Sequence, residues 1–165
     1  MSMNQAFLME IESETANTRR LISNIEDKHL GWKPHDKSMS VGVLVGHIVE
    51  LHNWVNKSLE VDVFNLSEDY KPFSPVSIKE AIDVLDSNFE NNKRLIAEMT
   101  DEKWSSEWTL QFGDMIIGKM PKSAALRFVI YNHLIHHRGQ LSVYLRLLDI
   151  PVPGLYGPSA DDRQG

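Results

Sequence analysis

Four stretches of this chain space their apolar residues at a helical period, and Pro- and Gly-bearing connectors separate them. That pattern constrains the fold more than any other feature. The first stretch runs from about Asn4 to Glu26, with Phe7, Ile11, Ile22 and Ile25 mostly on one side. The connector HLGWKPHDKSMS follows, where Gly31 and Pro34 interrupt a helix. The second starts near Ser40 and reaches Val61, with Leu44, His47, Leu51 and Trp54 in one row. Residues 62–75 read as a polar loop. Ser77 to Glu80 then reads as a capping box opening a third helix that extends to about Met99. Glu107 to Lys119 is strand-like and folds at Gly113-Asp114, a tight hairpin turn. Pro121 suits the first turn of a fourth helix, which ends near Leu148 before Pro151 and Pro153. The expected class is all-α: a four-helix bundle with a small hairpin before the last helix, as one domain over residues 1–165.

Composition narrows the function. Against 17 Lys and Arg stand 23 Asp and Glu, a formal charge of −6, which argues against a phosphate-backbone binder and so against nucleic acid as a partner. The chain has no cysteine, which removes disulfides, thiolate metal sites and cysteine nucleophiles together. No apolar run is long enough to span a bilayer, and the N-terminus lacks the apolar core of a signal peptide, so a cytoplasmic protein without membrane contact is expected.

Of seven histidines, three crowd into YNHLIHHRGQ on the fourth helix. At about 100° per residue, His133 and His137 lie about 40° apart and one turn along, so their rings can converge, whereas His136 sits about 100° from His137. The pair interrupts the apolar row Leu126, Ile130, Leu141, Tyr144, Leu148 and therefore points inward, where imidazoles need polar partners. His47 occupies the buried row of the second helix. A crossing of the two helices brings it opposite the pair. Three neutral imidazoles with open positions make a catalytic rather than a closed structural site. The alternative is a set of hydrogen-bonded core histidines. The segment His47 to His52 matches no zinc-protease motif, and His29 and His35 fall in connectors.

The string YNHLIHHRGQ, continued by LSVYLRLLDIPVPGLYGPSADD, resembles the DinB-like family of damage-inducible proteins. Trp32-Lys-Pro-His35 and Gly46-His47 extend the likeness over nearly the whole chain. The resemblance implies an up-down-down-up four-helix bundle, frequent dimerisation, and a metal site whose histidines map to His47, His133 and His137. Imidazole suits zinc, nickel, iron and copper; the expected cofactor is a divalent cation, zinc or nickel ahead of iron. Relatives with assigned activities resemble thiol S-transferases and thiol-dependent isomerases. The expectation is therefore a metal-dependent transferase using an external low-molecular-weight thiol, with a metal-dependent hydrolase or a non-catalytic metal-binding stress-response module as alternatives. No catalytic residue is assigned, because Glu50 is the one candidate base and its direction is open. Gly139 is expected to admit another backbone near the metal, and Arg138 to anchor Asp161 or Asp162 of the tail. Trp54, Phe89 and Trp108 are the candidate aromatics for a homodimer interface.

Overall fold

Serine caps begin three of the long helices in the computed structural model, which describes residues 1–163. Helix α1 (Met3–Ile22) opens on a full capping box between Ser2 and Gln5. It stops before Glu26, and a short 3-10 turn over Asp27–His29 leads into the connector. Helix α2 (Val41–Glu60) is capped by Ser40, whose hydroxyl accepts from the Val43 N–H at 3.3 Å. Strand β1 (Val63–Asn65) and the single turn α3 (Leu66–Asp69) come next. Helix α4 (Ile78–Ala97) starts where the Ser77 hydroxyl accepts from Glu80 N–H at 3.1 Å. Glu80 reaches one residue further back than expected and accepts from the Val76 N–H at 2.7 Å. A short α5 (Asp101–Ser105) precedes strands β2 (Glu107–Phe112) and β3 (Met115–Pro121).

The last long helix has three parts: α6 (Lys122–Ala124), a π-helical stretch over Ala125–Tyr131, and α7 (Asn132–Leu147). Pro121 sits one residue earlier than expected, closing β3 and preceding α6. Lys122 is buried, and its ammonium donates to the carbonyls of Leu59 and Val61 at 3.1 and 2.9 Å. A cation on the last carbonyls of α2 satisfies groups the helix leaves orphaned. It also fixes the start of the last helix against the end of α2.

The class differs from the all-α expectation. β1 pairs in parallel with β2, and β2 pairs antiparallel with β3, giving a three-stranded mixed sheet in the order β1-β2-β3. The protein is helical with a small sheet, not a pure four-helix bundle. The hairpin turn falls at Gly113-Asp114 as expected, with Phe112 opposite Met115 and Gly113 at φ +58°. A first turn residue with positive φ is what a type II′ turn requires, and glycine adopts it without strain. β1 escaped the sequence because three residues are too few to show a period of two. It is held from both sides: Phe64 is buried edge-on against Trp54, and the Asn65 side chain accepts from the Gly113 N–H at 2.9 Å.

The core gathers α1, α2, α4 and the last helix around side chains such as Ile11, Leu21, Leu44, Ile48, Leu51, Leu85, Ile130 and Leu141, all fully buried. Each such side chain contributes about 1.5–3 kcal/mol by leaving water. Among the described residues no helix is long and apolar enough to cross a membrane.

Candidate metal centre

Three helical positions bring the imidazoles together. His47 comes from the second turn of α2, and His133 and His137 come one turn apart from α7. Their ligand atoms all lie within 4.8 Å of one another. His133 Nε2 stands 3.3 Å from His47 Nε2 and 2.8 Å from His137 Nε2. Four ligands arranged tetrahedrally around zinc at about 2.0–2.1 Å are themselves about 3.3 Å apart, so these three nitrogens stand close enough together to hold one ion.

The outer nitrogens decide what the inner ones can do. His47 Nδ1–H donates to Glu50 Oε2 at 3.2 Å, and His137 Nδ1–H donates to Gln140 Oε1 at 2.6 Å. In a neutral imidazole the other nitrogen is then a bare acceptor. Two acceptors therefore face His133 Nε2, which has at most one proton to give. A cation at the centre would satisfy all three lone pairs at once. Burial favours the neutral, ligating form of the two rings on α7: His133 is pushed down to about 4, chiefly by desolvation and then by the neighbouring histidines. His137 is lowered mainly by desolvation as well.

Glu50 organises one side of the centre. Besides His47, its carboxylate accepts from the Tyr70 hydroxyl at 2.9 Å and from the Phe73 N–H. The Tyr70 hydroxyl is raised to about 12, by burial first and then by its bond to Glu50. The chain at Phe73 can come this close because Gly46 has no side chain; a Cβ there would collide with the Phe73 carbonyl and the Pro75 ring. A cleft of about 230 Å³ lies beside the triad, lined by His47, His137, Met39, Val43, Pro72, Phe73, Glu50, Tyr70 and Ser74. On the other side Trp54 stands edge-on to His47 and His133, with centroids 6.5 and 6.2 Å away.

The profile of the DinB family matches residues 1–164. The chain belongs to the DinB family. It is 27% identical to YrdA of Bacillus subtilis (strain 168) over 157 residues, covering 94% of this chain and 89% of YrdA. Among solved structures, a DinB-like protein of Bacillus cereus ATCC 10987 is similar at a TM-score of 0.73 and 25% identity, covering 92% of this chain and 97% of that one. A member of the family from Exiguobacterium sibiricum 255-15 shares the fold at a TM-score of 0.65 and 22% identity, covering 98% of each chain.

In this DinB-family chain the remaining histidines stand apart from the triad. His136 is exposed, with its ring 4.9 Å from that of His137 but outside the converging group. His52 is fully buried and hydrogen-bonded to Thr18 Oγ1 at 3.0 Å. His29 lies half-buried in its 3-10 turn, and the exposed His35 accepts from Lys37 N–H at 3.1 Å.

Three expectations are corrected. Arg138 does not hold Asp161 or Asp162; it is buried and pairs with Glu14, Thr18 and the Tyr156 hydroxyl, while Arg146 holds Asp161. A Cβ on Gly139 would meet nothing, so the glycine admits no backbone of its own chain. Trp54 and Trp108 are buried and Phe89 is half-buried, so the two tryptophans cannot form a contact surface. Glu50 and Gln140 were the residues whose work the sequence did not reveal. Both sit three positions after a triad histidine, the spacing at which helical side chains meet.

Proposed function

We propose that the protein is a metal-dependent enzyme that transfers a low-molecular-weight thiol to a small electrophile. The observation that carries this reading is the cleft beside His47 and His137, which leaves room for a substrate at the centre. A buried triad without such a cleft would have favoured a non-catalytic module. His47, His133 and His137 would hold a divalent cation, which, when bound, keeps a coordinated thiol deprotonated at neutral pH. The chain supplies no thiol of its own, so the nucleophile enters as a separate molecule. Its sulfur forms the new bond to an electrophilic carbon, the leaving group departs with the bonding pair, and the thiol proton passes to solvent.

Thiol transfer fits better than hydrolysis because water activation calls for a positioned base. Glu50 is the carboxylate beside the centre, and it is fully engaged by His47, Tyr70 and the Phe73 backbone. Its work is to orient His47 and to anchor the cleft wall. Met39, Val43, Pro72 and Phe73 give much of the cleft an apolar lining. The test is to titrate low-molecular-weight thiols into the cobalt-substituted protein and follow absorbance. A sulfur-to-metal charge-transfer band is expected. No band with any thiol, together with metal-dependent hydrolysis of a test ester, would replace the transferase by the hydrolase.

A further inference from the structure

Glu50 and Tyr70 line a second cavity as well as the metal cleft, a smaller one of about 140 Å³. On α2 the residues His47, Glu50, Trp54 and Lys57 follow at spacings of three and four, so one stripe runs from the triad into this cavity. Trp54, edge-on to His47 and His133, also lines it, with the Phe64 and Tyr70 rings edge-on at 5.1 and 5.8 Å. The polar groups around the cavity are unbalanced. Its acceptors are mostly in use. The Glu50 oxygens take His47, Tyr70 and the Phe73 N–H, Asn53 Oδ1 accepts from the Asn56 amide at 3.1 Å, and Asp69 Oδ2 accepts from the Asn65 N–H at 2.9 Å. The donors are not. Lys57, Lys71, the Asn53 amide and the Trp54 indole N–H have no partner among the described residues. The indole N–H of Trp54 also remains open to water, whereas that of Trp108 is sealed in the core. Other cations of this acidic chain have found carboxylates: Arg19 pairs with Asp86, Lys79 with Asp83, Lys119 with Glu107 and Arg146 with Asp161.

We infer that this cavity binds the carboxylate of the electrophilic substrate, which is therefore a small organic acid. Spare donors without matching acceptors call for a ligand rich in acceptors and poor in protons. The rings of Trp54 and Phe64 suit carbon, so the anion is carried on an organic skeleton. Bare phosphate would turn oxygens towards those rings unpaired. Transfer from a thiol also needs two molecules held at once, and the cleft and the cavity are two spaces with shared walls. Lys57 stands ten residues beyond His47, about 15 Å along the axis, and helical side chains lean back towards the N-terminus. The carboxylate thus lies several bonds from the carbon that the sulfur attacks. That the ligand is the electrophile rests on the transferase reading; that the cavity takes a carboxylate rests on its donors alone.

Butyrate and its neutral analogue butyramide are the probes, titrated into the zinc-loaded protein. The readout is the Trp54 indole N–H signal in the NMR spectrum, assigned with Trp54→Phe. Butyrate is expected to shift that signal saturably, and butyramide to leave it in place. Lys57→Gln and Lys71→Gln should each weaken butyrate about tenfold, the loss of one charge-assisted hydrogen bond. Lys79→Gln, at a lysine already paired with Asp83, should not. Equal shifts from the amide, or a butyrate affinity unchanged in both pocket variants, would overturn the site. Phosphate that binds as tightly as butyrate would overturn the organic acid. The readout needs neither thiol nor turnover, so a failed pocket and a failed transferase are told apart. In the cobalt protein, saturating butyrate is expected to leave a thiol's charge-transfer band in place, because the two molecules sit side by side. Loss of the band would give the pocket to the thiol and overturn its assignment to the electrophile.

Discussion

Glu50 joins three partners that come from different parts of the chain: His47 one turn earlier, Tyr70 after α3, and the Phe73 N–H on the cleft wall. Removing its charge while keeping its shape, as in Glu50→Gln, leaves His47 with a weaker orienting partner. Substitutions of this kind lower metal affinity by about 10–100-fold, and competition with a chromophoric chelator measures it; unchanged affinity would deny Glu50 that role. Gly46→Ala acts through the neighbouring backbone instead. Its methyl would push on the Phe73 carbonyl, so urea denaturation should show a loss of about 1–3 kcal/mol. His52, His133 and His137, all lowered by burial, set a pH response of the metal-free protein. Burial, with Arg138 adding, pushes His52 down to about 3 from an ordinary 6.5, and His133 goes down to about 4. Below about 6.5 the unfolded chain takes up protons that the native rings refuse. Stability is therefore complete above that pH and falls as pH drops towards 4 and 3. Urea midpoints at a series of pH values check the slope, and a His52→Gln variant should flatten it.

At the scale of elements, Arg138 ties three segments together. It is buried beside Glu14 of α1, donates to the Glu14 carbonyl at 2.7 Å, and meets the Tyr156 hydroxyl of the C-terminal segment. Thr18 extends the chain, accepting from Arg138 and bonding His52. Arg138→Leu strands the Glu14 carboxylate in the core, and breaking a buried pair from one side costs about 3–5 kcal/mol. Denaturation of the Arg138→Leu variant reads this directly; a loss under 1 kcal/mol would mean that water reaches Glu14. The sequence pointed to a structural part for Arg138 but assigned it to the acidic tail at Asp161 or Asp162. It could not name the partner, since Glu14 lies more than a hundred residues away and on the buried side of a helix rich in acids. The long helices were legible for the opposite reason: period and capping serines are local signals. The hairpin was legible through Gly113-Asp114. β1 was not, because its pairing with β2 is parallel and joins segments more than forty residues apart.

At the scale of the whole molecule, a cation on the three imidazoles would be coupled to stability, because those residues come from two helices that only the folded chain brings together. His133 and His137 were readable from helical phase alone. His47 needed the crossing of α2 and α7, which periodicity does not report and the family resemblance supplied. A ligand that binds only the native state adds about 2.7 kcal/mol at a hundredfold excess over Kd. Zinc or nickel should therefore raise the melting temperature, and a chelator should reverse the shift; His133→Ala should show no shift at all. The central claim is that one cation sits on these three imidazoles, and X-ray absorption at the metal edge tests it most directly. For the zinc-loaded protein the claim predicts three imidazole nitrogens at about 2.0–2.1 Å with the remaining position held by a light atom. Zinc surrounded by oxygen ligands alone, or by a single imidazole, would contradict it.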